Sequence, residues 1–294
     1  MGLSKRIALL ACVAMGASVP ASANHSWGGY HWARPTVGKL SAKVNVAVDS
    51  SWSSYVGTSI ADWNTPVNDP YSTKTEPDVL TLTSSGVSVD RRKCNPISGQ
   101  ILVCNYAYGK RGWLGIASIW TDGTVHIVQA TTKLNDSYYG SGSAYNTPGF
   151  RALVACQEIG HDFGLAHQDE NFTNSNLGSC MDYTNNPDGG GSNGTKGNRK
   201  PNYHDYEELA LIYNHGDTYT TATLGAAATN FGVREVGRPA PQETRGSGDT
   251  AAEWGTPIHR DGKGRPDMFI RNWTGGKVIT HVLWSPDAKG TEAN

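Results

Sequence analysis

Cys156-Gln157-Glu158-Ile159-Gly160-His161-Asp162-Phe163-Gly164-Leu165-Ala166-His167 carries more information than any other run of this chain. The period around it is helical from Asn146 onward: Thr147 suits an N-cap, Pro148 the first helical position, and Phe150, Leu153 and Val154 begin an apolar stripe. Positions 157 and 161 lie one turn apart and share a face, so two donors there can meet one ion. Glu158 stands beside them, where it reaches a water rather than the metal, the place of a general base. Gly164 is suited to end the helix with positive φ and to let His167 return toward the metal from another direction. Three converging donors with a fourth position open make a catalytic rather than a structural zinc arrangement.

At these residues the chain resembles the metzincin zinc peptidases, whose signature HExxHxxGxxH is matched at Glu158, His161, Gly164 and His167 and departed from at Gln157. Ser179-Cys180-Met181-Asp182-Tyr183 is similar to the methionine turn of that family, in the form found in astacins and serralysins, where the tyrosine approaches the zinc. Gly115-Ile116-Ala117-Ser118, followed by Asp122-Gly123 and Leu134-Asn135, resembles the matrixin pattern of edge strand and return strand. The resemblance spans Asn24 to Gly216. It implies zinc held by His161 and His167, with Gln157 or Tyr183 completing the shell, Met181 beneath the metal, and Glu158 as base. It also implies a peptide substrate lying antiparallel to Gly115, Ile116, Ala117 and Ser118. A glutamine amide is a neutral and weaker donor than imidazole, so position 157 divides the readings. One is a working zinc endopeptidase; the other is an extracellular binding protein on the same scaffold, with or without zinc.

The rest of the sequence sets the setting. With 294 residues, a formal net charge of -1 and 17% charged residues, it offers no bulk basic surface for nucleic acid. Residues 1–23 follow the plan of an export signal: Lys5 and Arg6, the apolar run Ile7 to Val19, and Ala21-Ser22-Ala23 as cleavage site. A secreted or periplasmic protein beginning at Asn24 is expected, without a membrane span. Four cysteines then remain in an oxidising compartment, which favours two disulfides over a thiolate metal site. Of three pairings, Cys94–Cys104 with Cys156–Cys180 is favoured; the first closes a loop around Asn95-Pro96-Ile97-Ser98-Gly99. If the methionine turn underlies the zinc as in the family, Cys156 and Cys180 are neighbours.

Strands are predicted at Lys43 to Val48 and Asp78 to Val87, and a hairpin at Trp113–Trp120 and Thr124–Thr132 turning at Asp122-Gly123. Helices are predicted at Ser53 to Trp63 and after the cap Asn202, the latter ending near His215-Gly216. Thr218 to Gly264 reads as extended or loosely packed, and Met268 to Trp284 as a hairpin around Thr274-Gly275-Gly276. The expected class is α+β, with a twisted mixed sheet, an active-site helix, a methionine turn and a C-terminal helix in residues 24–217, and a small β-rich extension in 218–294. The extension carries no ligand spacing, so its removal is expected to leave zinc binding intact. His25, His31, His126, His204, His215, His259 and His281 match no ligand motif and are read as structural or exposed. Asp169, Glu170, Asp182 and Asp188 offer oxygen donors for calcium, but without EF-hand or glycine-aspartate repeat spacing, so solvated loop carboxylates are the favoured reading.

Overall fold

Strand Leu40–Ala47 begins the sheet because its alternation is that of a half-buried strand: Leu40, Ala42 and Val44 point inward and are buried. In this computed structural model, which describes residues 25–223 and 248–288, it is β2, after a short β1 at His31–Trp32. The remaining strands are β3 (Leu80–Gly86), β4 (Ile101–Tyr106), β5 (Trp113–Thr121), β6 (His126–Asn135), β7 (Thr256–Arg260), β8 (Pro266–Trp273) and β9 (Gly276–Trp284). The helices are α1 (Ser53–Asn64), α2 (Pro148–His161), α3 (Tyr203–Ile212) and a single turn α4 (Ala251–Trp254). The proposed signal segment lies outside the described residues.

The molecule is α+β, built on one mixed sheet in the order β3-β2-β4-β6-β5-β9-β8-β7, with β1 pairing alongside the start of β6. The pairings β2–β3, β2–β4 and β4–β6 are parallel, whereas β5 runs antiparallel to β6 and to β9. Helix α1 buries Val56, Ser59, Ile60 and Trp63, one face at helical spacing, and packs on α2, which in turn lies on β5 and β6. Strand β4 and the short elements β1, β7 and α4 were not predicted. Continuous burial of Ile101 to Asn105 hides the two-residue alternation in β4.

Two expectations about the C-terminal region are corrected. Residues 256–284 do not form a separate extension but continue the sheet of residues 25–217 through the β5–β9 pairing. The backbone from Gly115 to Ser118, expected to receive a substrate strand, pairs instead with Leu283 to Thr280. Further ties hold the two regions together: Lys133 Nζ lies 2.9 Å from Asp249 Oδ1, Trp113 Nε1 donates to Asp249 O at 3.1 Å, and Trp273 Nε1 donates to Thr121 O at 3.0 Å. Trp113, Trp254, Phe269, Val282 and Trp284 bury one another in a second apolar cluster behind the main core.

Both favoured disulfides are present, Cys94–Cys104 and Cys156–Cys180. They accord with an oxidising compartment. Among the described residues no helix is long and apolar enough to cross a membrane.

Candidate metal centre

Helix α2 starts as its sequence requires, with Thr147 Oγ1 accepting from Phe150 N at 3.2 Å and Pro148 at the first turn. It ends at Asp162, and Gly164 takes φ +96°, where a Cβ would also run into the Tyr30 carbonyl oxygen. The chain then turns back and brings His167 over the end of the helix. The segment from His25 to Trp32 holds this turn: Trp27 N donates to Gly164 O at 2.7 Å and Trp32 Nε1 to Asp162 O at 2.8 Å. Behind it, Thr132 Oγ1 donates to Asp162 Oδ2 at 2.8 Å.

His161 and His167 meet as the spacing implied, with their Nε2 atoms 3.2 Å apart. His161 Nδ1 lies 2.7 Å from Leu165 O, a carbonyl that can only accept, so the neutral ring carries its proton on Nδ1 and turns a lone pair on Nε2 toward His167. His167 Nδ1 in turn contacts Glu170 Oε1 at 2.9 Å. The third imidazole is His281 from β9, whose ring centroid is 4.0 Å from that of His161 and 4.4 Å from that of His167. Ligand atoms of the three histidines fall within 4.8 Å of one another.

Position 157 has a different contact. Gln157 Nε2 donates to Cys180 O at 2.8 Å, beside the Cys156–Cys180 bridge, and so ties α2 to the turn at residues 179–183; its Oε1 is buried without a protein partner. Met181 lies against Gly160, where an added Cβ would come within 2.6 Å of Met181 Sδ. Ser179 Oγ anchors this turn, donating to Asp205 Oδ2 and accepting from Met181 N. Tyr183 sets its hydroxyl 3.1 Å from His281 Nε2 and 3.5 Å from Asp267 Oδ2, and Asp267 Oδ1 lies 2.8 Å from His259 Nδ1.

Glu158 is fully buried, neither carboxylate oxygen has a protein hydrogen-bond partner, and Oε2 stands 3.9 Å from His281 Nδ1. Burial, reinforced by the charge of Asp162, pushes this carboxyl well above its ordinary range. Its space exists because residue 115 is glycine: a Cβ there would sit 2.7 Å from Glu158 Oε1. Burial first, and then the neighbouring imidazoles, drives His161 and His281 well below the ordinary histidine range. Burial likewise pushes His167 down to about 3. Neutral imidazole is the form that ligates a metal.

These residues fit a divalent cation. A lone pair on His161 Nε2 faces another ring nitrogen, and His281 Nδ1 and both Glu158 oxygens are buried without protein partners, so the cluster gathers electron-rich atoms that lack a positive counterpart. The expectation of solvated loop carboxylates for the possible calcium donors is corrected at Asp182, which is fully buried and whose Oδ1 has no protein partner. Asp169 Oδ1 accepts from Asn171 N, Asp182 Oδ2 from Leu177 N and Asn198, and Asp188 pairs with Arg199, while Glu170 belongs to His167. His281 was missed because it matches no local motif. Its strand period was a usable signal, since residues 279, 281 and 283 share one face and Ile279 and Leu283 are core.

Comparisons of this chain with protein-family models, with curated proteins and with solved structures give no match.

Proposed function

We propose that the chain is an exported zinc-dependent peptidase of the metzincin type in which His281, rather than Gln157, completes the ligand set with His161 and His167. The convergence of three buried imidazoles beside the unpartnered carboxylate of Glu158 carries this reading. The order of β3, β2, β4, β6 and antiparallel β5, with α2 packed on the sheet and Met181 under Gly160, supports the family resemblance.

Zinc held by three imidazoles would supply Lewis acidity toward a peptide carbonyl and toward water. Glu158 would accept the proton of the attacking water and deliver it to the leaving amine; its desolvation raises its basicity for that exchange. Tyr183 and Asp267 would orient the His281 ring, and the Leu165 carbonyl and Glu170 would orient the other two. Because β9 covers the β5 edge, substrate would have to reach the centre by a route other than strand addition there.

The same covering favours a second reading, in which zinc is bound but no peptide is turned over. Zinc content and chelator-sensitive cleavage of casein, measured on one preparation, separate the two. Cleavage abolished by Glu158→Gln with zinc retained supports the peptidase, and zinc without cleavage supports the binding protein. Zinc affinity should fall by an order of magnitude or more in His281→Ala, as expected on loss of a ligand, and change little in Gln157→Leu. The reverse result would return the third position to residue 157.

A further inference from the structure

A second cluster of histidines lies outside this centre and shares no residue with it. His31 on β1 and His126 at the start of β6 are direct partners in the parallel ladder. Beyond α3 the chain returns with His215 and Asp217 to the same place. Asp217 is fixed through its backbone and one oxygen: its N donates to Arg34 O at 2.6 Å, and Arg34 N donates to Oδ2 at 3.0 Å. This turns Oδ1 toward the imidazoles, 3.2 Å from His126 Nε2, 3.5 Å from His31 Nε2 and 3.6 Å from His215 Nε2. His215 Nε2 is itself 3.1 Å from His31 Nε2.

The outer ring nitrogens of His31 and His126 are engaged. His31 Nδ1 lies 2.8 Å from Gly29 O, and His126 Nδ1 lies 2.9 Å from Thr124 Oγ1 and also meets the Tyr219 hydroxyl. The Gly29 carbonyl can only accept, so a neutral His31 presents a lone pair on Nε2 toward His215. Ligand atoms of His31, His126 and Asp217 lie within 4.8 Å of one another, and His215 Nε2 joins them through its contacts with His31 Nε2 and Asp217 Oδ1. With zinc–nitrogen bonds of about 2.0–2.1 Å, a tetrahedral shell has edges of roughly 3.3–3.4 Å, and the four contacts above, at 3.1–3.6 Å, scatter around that range.

We propose that His31, His126, His215 and Asp217 form a second divalent-metal site, a closed three-imidazole, one-carboxylate shell suited to zinc and structural in role. Its four ligands use every tetrahedral position, which leaves none for a substrate. The metal staples three segments far apart in sequence: the N-terminal strand, the β5–β6 turn and the chain after α3. Through Trp32, next to His31 and bonded to Asp162 O, the staple braces the end of α2. His215, the most open of the four with its side chain 45% exposed, marks the entry side.

The test counts zinc per chain in the full-length protein, in wild type and in the His215→Ala and Asp217→Asn variants. Each variant should carry about one zinc less than wild type, whether or not the first centre is loaded, because the four donors act as one shell. In the unaltered chain, zinc should slow carbethoxylation of His215 by diethyl pyrocarbonate, read by peptide mapping, and a chelator should restore the rate. Equal zinc content in wild type and folded variants would overturn the site. So would a His215 labelling rate indifferent to zinc, a readout that requires no variant to fold.

Discussion

Two glycines near the first centre meet different obstacles, and the difference orders two predictions. At Gly115 an added methyl would approach Glu158 Cγ at 2.7 Å and Val154 Cγ1 at 2.8 Å, atoms of buried side chains rather than of the backbone. Gly115→Ala should therefore behave as ordinary overpacking, costing about 1–3 kcal/mol, and should displace the Glu158 carboxylate. At Gly164 the obstacle is the Tyr30 backbone carbonyl, and the residue already holds φ +96°. Left-handed strain of roughly 1–3 kcal/mol then adds to a contact that the backbone cannot easily relieve. Thermal melts should show Gly164→Ala as the less stable of the two; the opposite order would mean that the ligand turn does not press on Tyr30.

At the scale of elements, β6 is joined to the C-terminal region by a buried charge pair, Lys133 with Asp249, both side chains at most 7% exposed. Burial lowers the Lys133 pKa and Asp249 opposes that shift, so the ammonium depends on its partner. Asp249→Asn should cost up to about 3–5 kcal/mol by removing the nearest counter-charge of a buried cation, whereas Lys133→Met with Asp249→Leu together should cost less. Urea denaturation of the single and double variants measures this, and a double variant as unstable as the single would refute the pairing argument. Helix α2 is fixed in a comparable way to the turn that carries Met181 by Cys156–Cys180, 24 residues apart. Replacing both cysteines with alanine should cost roughly 2–5 kcal/mol. On the proposed function, zinc affinity should fall with it, because the bridge ties α2, which carries His161, to the turn that carries Met181.

For the whole molecule, the sheet continues from β5 into β9, which changes what a truncation does. Ending the chain after Thr223 would remove His281, bare the β5 edge from Trp113 to Trp120 and uncover Trp113, which is 0% exposed. An open edge beside exposed aromatics is an aggregation site. The truncated chain should elute as aggregate on size-exclusion chromatography and, on the proposed function, lose zinc affinity, contrary to the sequence-based expectation of an indifferent tail. A monomeric truncated protein with undiminished zinc affinity would show that β9 contributes neither ligand nor stability.

The sequence by itself determined the features set by local chemistry. These are α1 and α2 by their apolar period, the start of α2 by Thr147 and Pro148, α3 by the Asn202 cap, the β5–β6 hairpin by Asp122-Gly123, and the turn at Gly164 by its need for positive φ. The approach of His161 to His167 was equally legible, because helix and turn fix it within seven residues. Tertiary structure alone decided the rest. His281 joins a pair more than a hundred residues earlier, and His31, His126, His215 and Asp217 come from three separated segments. No spacing encodes such meetings, because strand pairing and core burial fold the chain until distant side chains share one point. The same pairing closed the β5 edge, since a strand's period shows which face is buried but not which strand lies beside it.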